Sequence, residues 1–263
     1  MSDHLKIRVA KDAGFCFGVR DAIEKAREVA QEHGKVYMLG DIVHNERVVK
    51  DLAQENVKVV DSLAEVKNAP VLFRAHGTIP ELWVEAGRKD LTIVDATCPL
   101  VHEIHDEIKK LDVEGRKLII IGDHGHDEVV AIRAQVTEAI IIASIAEAEA
   151  LPRMKKAGVV SQSTQMIENV QEIIGILSMK IFDLRFVNTV CFPTRRNQGQ
   201  IKEIAPISDV MIIVGSFTSA NTKRLHEVSL SLNPRSYMVE NANDIQESWF
   251  DMAESVGVSA GAS

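Results

Sequence analysis

The chain has three cysteines, Cys16, Cys98 and Cys191. Thiolates are soft ligands that select zinc, copper(I) or iron–sulfur clusters. Three thiols cannot all pair, and separations of 82 and 93 residues make a disulfide framework improbable. Their settings are alike: Ala13-Gly-Phe-Cys16-Phe-Gly-Val, Asp95-Ala-Thr-Cys98-Pro99 and Asn188-Thr-Val-Cys191 are short polar or glycine-containing turns that lead into helical stretches. Taken alone, Cys16 between two phenylalanines reads as a buried, inert thiol. Three cysteines at the same local position point instead to joint ligation, of zinc with a fourth histidine or of a cluster with one iron left open. Spacing does not choose between the two.

A second set of residues suits anions and protons. His44, His76 and His126 each follow a strand-like run, whereas His33, His102, His105 and His226 fall within or at the ends of helices. Imidazolium suits a phosphate oxygen, and three at one edge favour an anion site over three separate structural roles. His124-Gly-His126-Asp-Glu128 resembles a metal-binding run, but its spacing on a strand-to-helix turn does not bring all the groups to one face. Glu128 suits a proton carrier if its pocket is dry, or a helix-start carboxylate balancing the dipole. Ser219-Ala-Asn221-Thr222 offers hydroxyl, amide and backbone donors that suit a diphosphate, although simple helix capping explains the same residues, and Gln162-Ser163-Thr164 has the same ambiguity. Lys223-Arg224 and Arg195-Arg196 read as solvated pairs.

The elements that would position these groups alternate. Strand-like runs at 7–10, 36–39, 57–60, 71–74, 92–95, 118–121, 139–142, 159–161, 182–187, 210–214, 236–239 and 256–259 are separated by amphipathic stretches, among them 19–33, 46–55, 101–114, 166–176 and 222–230. This is the signature of an α/β protein with parallel sheets. Nearly every chemical group falls just after a strand, at the edge where open parallel sheets bind ligands and helix starts present free N–H groups. The cysteines divide the chain into thirds, each with enough strands for a small sheet. This predicts three similar α/β units, at 16–97, 98–190 and 191–263, with the first strand of 1–15 packing elsewhere.

Composition narrows the partners. With 46% hydrophobic and 26% charged residues among 263, the chain is expected to be globular. A net charge of −8 argues against nucleic acid, the apolar runs are too short to cross a membrane, and no secretory leader is visible, so a cytoplasmic location is expected.

Eight ordered segments resemble the signature of the 4-hydroxy-3-methylbut-2-enyl diphosphate reductase, or LytB, family. They are the Cys16 turn, His44-Asn45, Arg74-Ala-His76-Gly, Asp95-Ala-Thr-Cys98-Pro, His126-Asp-Glu128-Val, Cys191-Phe-Pro-Thr194, Ser219-Ala-Asn221-Thr and Ala260-Gly-Ala-Ser263. The resemblance spans essentially the whole chain. It implies three α/β domains in a trefoil around one [4Fe–4S] cluster per chain, with Cys16, Cys98 and Cys191 as ligands and the substrate's allylic hydroxyl at the fourth iron. It assigns the diphosphate to His44, His76, His126, Ser219, Asn221 and Ser263, and proton delivery to Glu128 with Thr164, or its neighbour Ser163, and His126. The implied reaction is reductive dehydroxylation to isopentenyl and dimethylallyl diphosphate, with ferredoxin or flavodoxin as electron donor. Two other readings compete: a redox sensor holding a cluster or zinc, and a paralogue acting on another hydroxylated substrate. Asp127, Ala131, Ala134, Ser163 and Ala220 depart from the family pattern, and the chain ends at Ser263 where the family usually continues.

Overall fold

The computed structural model describes residues 5–262. Strand β1 (Lys6–Val9) leads through the Cys16 turn into α1 (Phe17–His33). Strands β2 (Val36–Leu39), β3 (Val57–Val60), β4 (Val71–Phe73) and β5 (Ile93–Asp95), with helices α2 (Glu46–Gln54) and α3 (Pro80–Arg88), form one sheet in the order β3-β2-β4-β5. Helix α4 (Pro99–Val113) leads to β6 (Lys117–Ile121), β7 (Ile140–Ile142), β8 (Met154–Ser161) and β9 (Ile181–Phe186), which join α5 (Asp127–Arg133), α6 (Ile145–Ala150) and α7 (Ile167–Lys180) around a sheet ordered β7-β6-β8-β9. After α8 (Phe192–Ile204), β10 (Val210–Val214), α9 (Ala220–Leu232), β11 (Ser236–Val239) and β12 (Ser255–Ala260) take in β1 as a fourth strand, in the order β1-β12-β10-β11. All pairings are parallel.

By packing, the described chain divides into two compact units. One holds the residues up to Val19, His44–Glu46 and the residues from Cys191 on; the other holds Arg20–Val43 and Arg47–Val190. Within the larger unit β6 shows why the sheets are parallel. Its Leu118–Ile121 run is buried on both faces, as a strand sandwiched between helices must be. Ile119 and Ile121 pack with Val170, Ile173 and Leu177, which recur at three- and four-residue spacing on α7. Leu118 and Ile120 pack oppositely with Ile104, Ile108 and Leu111 of α4. At about 25 cal/mol per Å² of apolar surface removed from water, full burial of each such side chain contributes about 2 kcal/mol.

The twelve expected strands are all present, most displaced by a residue or so. β8 begins at Met154 rather than 159, because Lys155, Lys156 and Gly158 interrupt the apolar run. Helices α3, α5, α6 and α8 lie outside the amphipathic stretches named from the sequence. Two of these, α5 and α6, have only seven and six residues. α8 turns Thr194, Asn197 and Gln198 inward, so its buried face is polar. Among the described residues no helix is long and apolar enough to cross a membrane.

Numbered along the chain, each sheet has its strands in the order 2-1-3-4, with β1 acting as the fourth strand of the third sheet. In the third sheet β12 and β1 are neighbours that no connection joins, since β1 comes first in the chain; in the first two sheets the connections leave the first and third strands toward opposite faces. A crevice therefore opens at their C-terminal ends, where open α/β sheets bind ligands. The switch points lie between β2 and β4 and between β6 and β8; the position between β10 and β12 matches them in strand order alone and is called the third sheet's switch point on that ground.

Candidate functional site

The candidate residues follow this topology closely. His44 comes after β2 and His76 after β4; His126 and Glu128 come after β6, and Ser163 and Thr164 after β8; Ser219 and Asn221 come after β10. All of them flank switch points. The cysteines follow the fourth strands: Cys98 after β5, Cys191 after β9 and Cys16 after β1. Ser263, expected on the diphosphate, lies outside the described residues.

The second sheet's switch point carries the most complete site. Glu128 is 2% exposed, in the first turn of α5. Across the crevice, the Ser163 N–H donates to Glu128 Oε1 at 2.6 Å and the Ser163 hydroxyl donates to Oε2 at 2.7 Å. Burial pushes the Glu128 carboxyl up to about 6; the two Ser163 bonds oppose this and nearby Asp123 adds slightly to it. A carboxyl in that range carries a proton part of the time near neutrality, as a general acid must. The hydroxyl on Glu128 therefore belongs to Ser163. Thr164 turns its own hydroxyl toward Gln162, accepting from Nε2 at 3.0 Å.

Sequence reasoning missed the frame that holds this turn. Buried Gln162 accepts from the Asp123 N–H at 2.9 Å and from Gln165 Nε2 at 3.2 Å, tying the turn after β8 to the turn after β6. Gly122 permits the close approach, since a Cβ there would stand 2.5 Å from Val129 Cγ2. Gln162 stands out in the sequence only as part of the Gln162-Ser163-Thr164 turn, and Gln165 has no signal of its own.

His126 is the N-cap of α5. Its Nδ1 accepts from the Glu128 N–H at 3.1 Å, which places the proton of the neutral ring on Nε2 and makes that nitrogen a donor. His76, from the first sheet's switch point, meets it edge-on with ring centroids 5.9 Å apart. Arg74 and Asp127, the neighbours of these histidines, form an ion pair at 2.7 Å. The remainder of the histidine-rich run separates from the site: His124 is exposed and bonds Glu147 at 2.8 Å. Among the described residues, no three His, Cys, Asp or Glu side chains are gathered for a single metal ion.

In the smaller unit, Ser219 is the N-cap of α9 and its hydroxyl accepts from the Thr222 N–H at 3.2 Å. Asn221, the second residue of α9, is 2% exposed, yet among the described residues neither its Nδ2 nor its Oδ1 has a hydrogen-bond partner. An unpartnered buried amide costs about 1 to 3 kcal/mol. A polar ligand with both acceptors and donors would relieve that cost. His44 belongs to this unit and is half-buried. Lys223 is exposed and Arg224 pairs with Glu227 at 2.9 Å, as a solvated face does. Arg196 reaches Asp12 at 3.2 Å.

The cysteines form no disulfide and are all half-buried. Cys98 and Cys191 are the N-caps of α4 and α8, each with proline in the first turn, and Cys16 immediately precedes α1. Neither cap cysteine spends its side chain on capping. The Cys16 N–H donates to Ala262 O at 3.1 Å, the Cys98 N–H donates to Ala75 O at 3.0 Å, and Cys191 Sγ lies 3.1 Å from Thr194 Oγ1. Cys16 and Cys191 in the smaller unit and Cys98 in the larger each stand at the positive end of a helix, which favours the thiolate that a soft metal requires.

The family described as LytB protein matches residues 7–263. The 4-hydroxy-3-methylbut-2-enyl diphosphate reductases of Geobacter metallireducens and Geobacter sulfurreducens are each 40% identical over 260 residues, covering 98% of this chain and 92% of each relative. The solved structure of the E-1-hydroxy-2-methyl-but-2-enyl-4-diphosphate reductase from Plasmodium falciparum matches with a TM-score of 0.94 at 26% identity, over 98% of this chain and 84% of that one. A second solved structure, of (E)-4-hydroxy-3-methyl-but-2-enyl diphosphate reductase, the terminal enzyme of the non-mevalonate pathway, matches with a TM-score of 0.69 at 36% identity, over 98% of this chain and 94% of that one.

Proposed function

The chain belongs to the LytB family, and we propose that it is an iron–sulfur oxidoreductase that reductively removes the hydroxyl of 4-hydroxy-3-methylbut-2-enyl diphosphate. The observation that carries the reading is Glu128: its buried carboxyl is raised to about 6 and gripped by Ser163, and its N–H donates to the ring of His126, which meets His76 edge-on. The allylic C–O bond breaks and its oxygen leaves as water, one carbon gains a proton, and two electrons are consumed. The products are isopentenyl and dimethylallyl diphosphate.

The residues divide this work. His44, His76, His126, Ser219 and Asn221 hold the diphosphate; His126 donates from Nε2, and Asn221 gains the partners it otherwise lacks. Anchoring the diphosphate positions the allylic end without further ordering. Glu128 delivers the proton to the departing oxygen, and the Ser163 hydroxyl keeps the carboxyl turned into the crevice. Thr164, the other candidate for the proton path, borders the same turn with its hydroxyl held by Gln162, so Ser163 takes the place beside the carboxyl. Cys16, Cys98 and Cys191 would hold a [4Fe–4S] cluster. When bound, it supplies single electrons and a Lewis-acidic iron without a protein thiolate. Ferredoxin or flavodoxin suits the one-electron supply. The three-domain division at 16–97, 98–190 and 191–263 is supported by the three sheets, which fall within those bounds apart from β1.

The test is anaerobic reconstitution followed by iron and sulfide analysis, and turnover of the diphosphate with a chemical reductant. Four irons and four sulfides per chain, with both products formed, are expected. Zinc without sulfide, or a loaded cluster with no turnover, would overturn the reading. Replacing any one of the three cysteines by alanine should abolish turnover and sharply lower bound iron.

A further inference from the structure

Two histidines facing each other across separate sheets grip an anion only if something holds those sheet edges at a fixed distance. Within the larger unit that link is visible. Arg74 lies two residues before His76, just past β4. Its Nη1 donates to Oδ2 of Asp127 at 2.7 Å, and Asp127 is the residue directly after His126. The pair therefore spans from the switch point of the first sheet to that of the second, alongside the 5.9 Å contact of the two imidazoles. Both side chains are about 70% shielded from solvent, at 28% and 32% exposure, so the pair is less screened than a surface bridge.

The surroundings are shaped to keep Arg74 in place. Gly40, which follows β2 on the other side of the first switch point, has φ +69, and a Cβ there would stand 3.0 Å from Arg74 Nη1. Only glycine both adopts that backbone comfortably and leaves room for the guanidinium. On the other side, Asp127 is the first residue of α5, whose cap is the His126 ring itself. A pull on Asp127 is thus a pull on the cap and on His126.

We propose that the Arg74–Asp127 ion pair is a clasp that sets the separation of His76 and His126, which makes both residues positioning residues for diphosphate binding. The proposal rests on the reading that these imidazoles hold the diphosphate. It makes a prediction opposite in sign to simple charge arithmetic. Removing a carboxylate from beside an anion site should tighten anion binding by Coulomb's law. Removing one that clasps the site should loosen it.

Asp127→Asn in the cluster-loaded protein is the decisive variant, with Arg74→Gln, the double variant and Arg74→Lys beside it. Calorimetric binding of inorganic diphosphate and steady-state turnover of the substrate are the measurements. Asp127→Asn should raise the diphosphate Kd and the KM by roughly three- to tenfold while kcat changes less than about twofold, a uniform-binding loss. The double variant should be no worse than either single one, and Arg74→Lys should recover part of the loss. Tighter or unchanged diphosphate binding in Asp127→Asn would overturn the clasp, as would losses that multiply in the double variant. A fall in kcat with KM unchanged would overturn it too. Wild-type protein that neither binds diphosphate nor turns over substrate would sink the functional reading itself, an outcome distinct from intact wild-type binding with unaffected variants.

Discussion

The switch points of the second and third sheets have the same strand order but opposite degrees of completion. Between β6 and β8, the Glu128 carboxyl has both oxygens bonded to Ser163, and Gln162 ties the two turns together. Near β10, both polar atoms of the Asn221 amide and the Thr222 hydroxyl are buried without partners among the described residues. A finished network holds its geometry before any ligand arrives, which suits a group that must deliver a proton at a defined point. An unfinished one is a site whose hydrogen bonds are completed by what binds, at the expense of the unliganded fold. Preorganised chemistry on one sheet and ligand-completed binding on another is the division of labour expected when a remote anchor positions a reacting centre.

The sharpest break of that contrast is Glu128→Gln. Glutamine keeps an acceptor for the Ser163 N–H but has no proton to give, so diphosphate binding and cluster content should persist while kcat falls by about a hundredfold or more. Retained turnover would remove Glu128 from the proton role. Asn221→Leu tests the other side. It should weaken diphosphate binding by roughly ten- to a hundredfold and, because it removes an unpartnered buried amide while keeping similar volume, raise unliganded stability by about 1 kcal/mol. Calorimetric binding and thermal melts read both effects. A variant that loses stability as well as binding would show that the amide is satisfied in the unliganded protein.

Much of this contrast was legible in the sequence, but not its cause. Strand-end placement of His44, His76, Glu128 and Asn221 followed from short β-branched runs ending in polar turns, because parallel strands must be apolar through their length and free only at their ends. That the cysteines follow fourth strands while the binding residues flank the first and third could not be read. Strand order is fixed by pairings between residues far apart in the chain, such as Lys6 with Ser255. The choice between Ser163 and Thr164 was equally hidden. Neighbours on a turn point in different directions, and only the position of α5 across the crevice decides which hydroxyl meets Glu128. α8 went unmarked for the reverse reason: its inward face is polar, a local rule broken beside the candidate ligand Cys191.

Ser163→Ala sharpens the preorganised side further. It deletes the hydroxyl bond to Glu128 Oε2 but leaves the backbone N–H on Oε1. One of the two bonds that favour the carboxylate is lost, so the carboxyl should rise further above its ordinary range. Turnover should fall by about tenfold, with the alkaline limb of kcat moved to higher pH. An unmoved limb with reduced rate would show that Ser163 orients the carboxyl without tuning it.

The smallest effect is on stability. Burial lifts Glu128 from its ordinary 4.5 to about 6 in the fold. The protonated carboxyl is thus the form the fold prefers: its contribution is complete below about pH 4.5 and is lost as pH rises through about 6. The full difference amounts to about 2 kcal/mol, of which about 1 kcal/mol falls between pH 5 and pH 7.5. Glu128→Gln cannot ionise, so its stability relative to wild type should climb by that amount across the same interval, read as a widening gap in denaturation midpoints of the cluster-loaded proteins. Asn221→Leu does not change a titrating group and should run parallel to wild type. A constant gap for Glu128→Gln would mean that the carboxyl is solvated in the native protein, and the second switch point would then be no drier than the third.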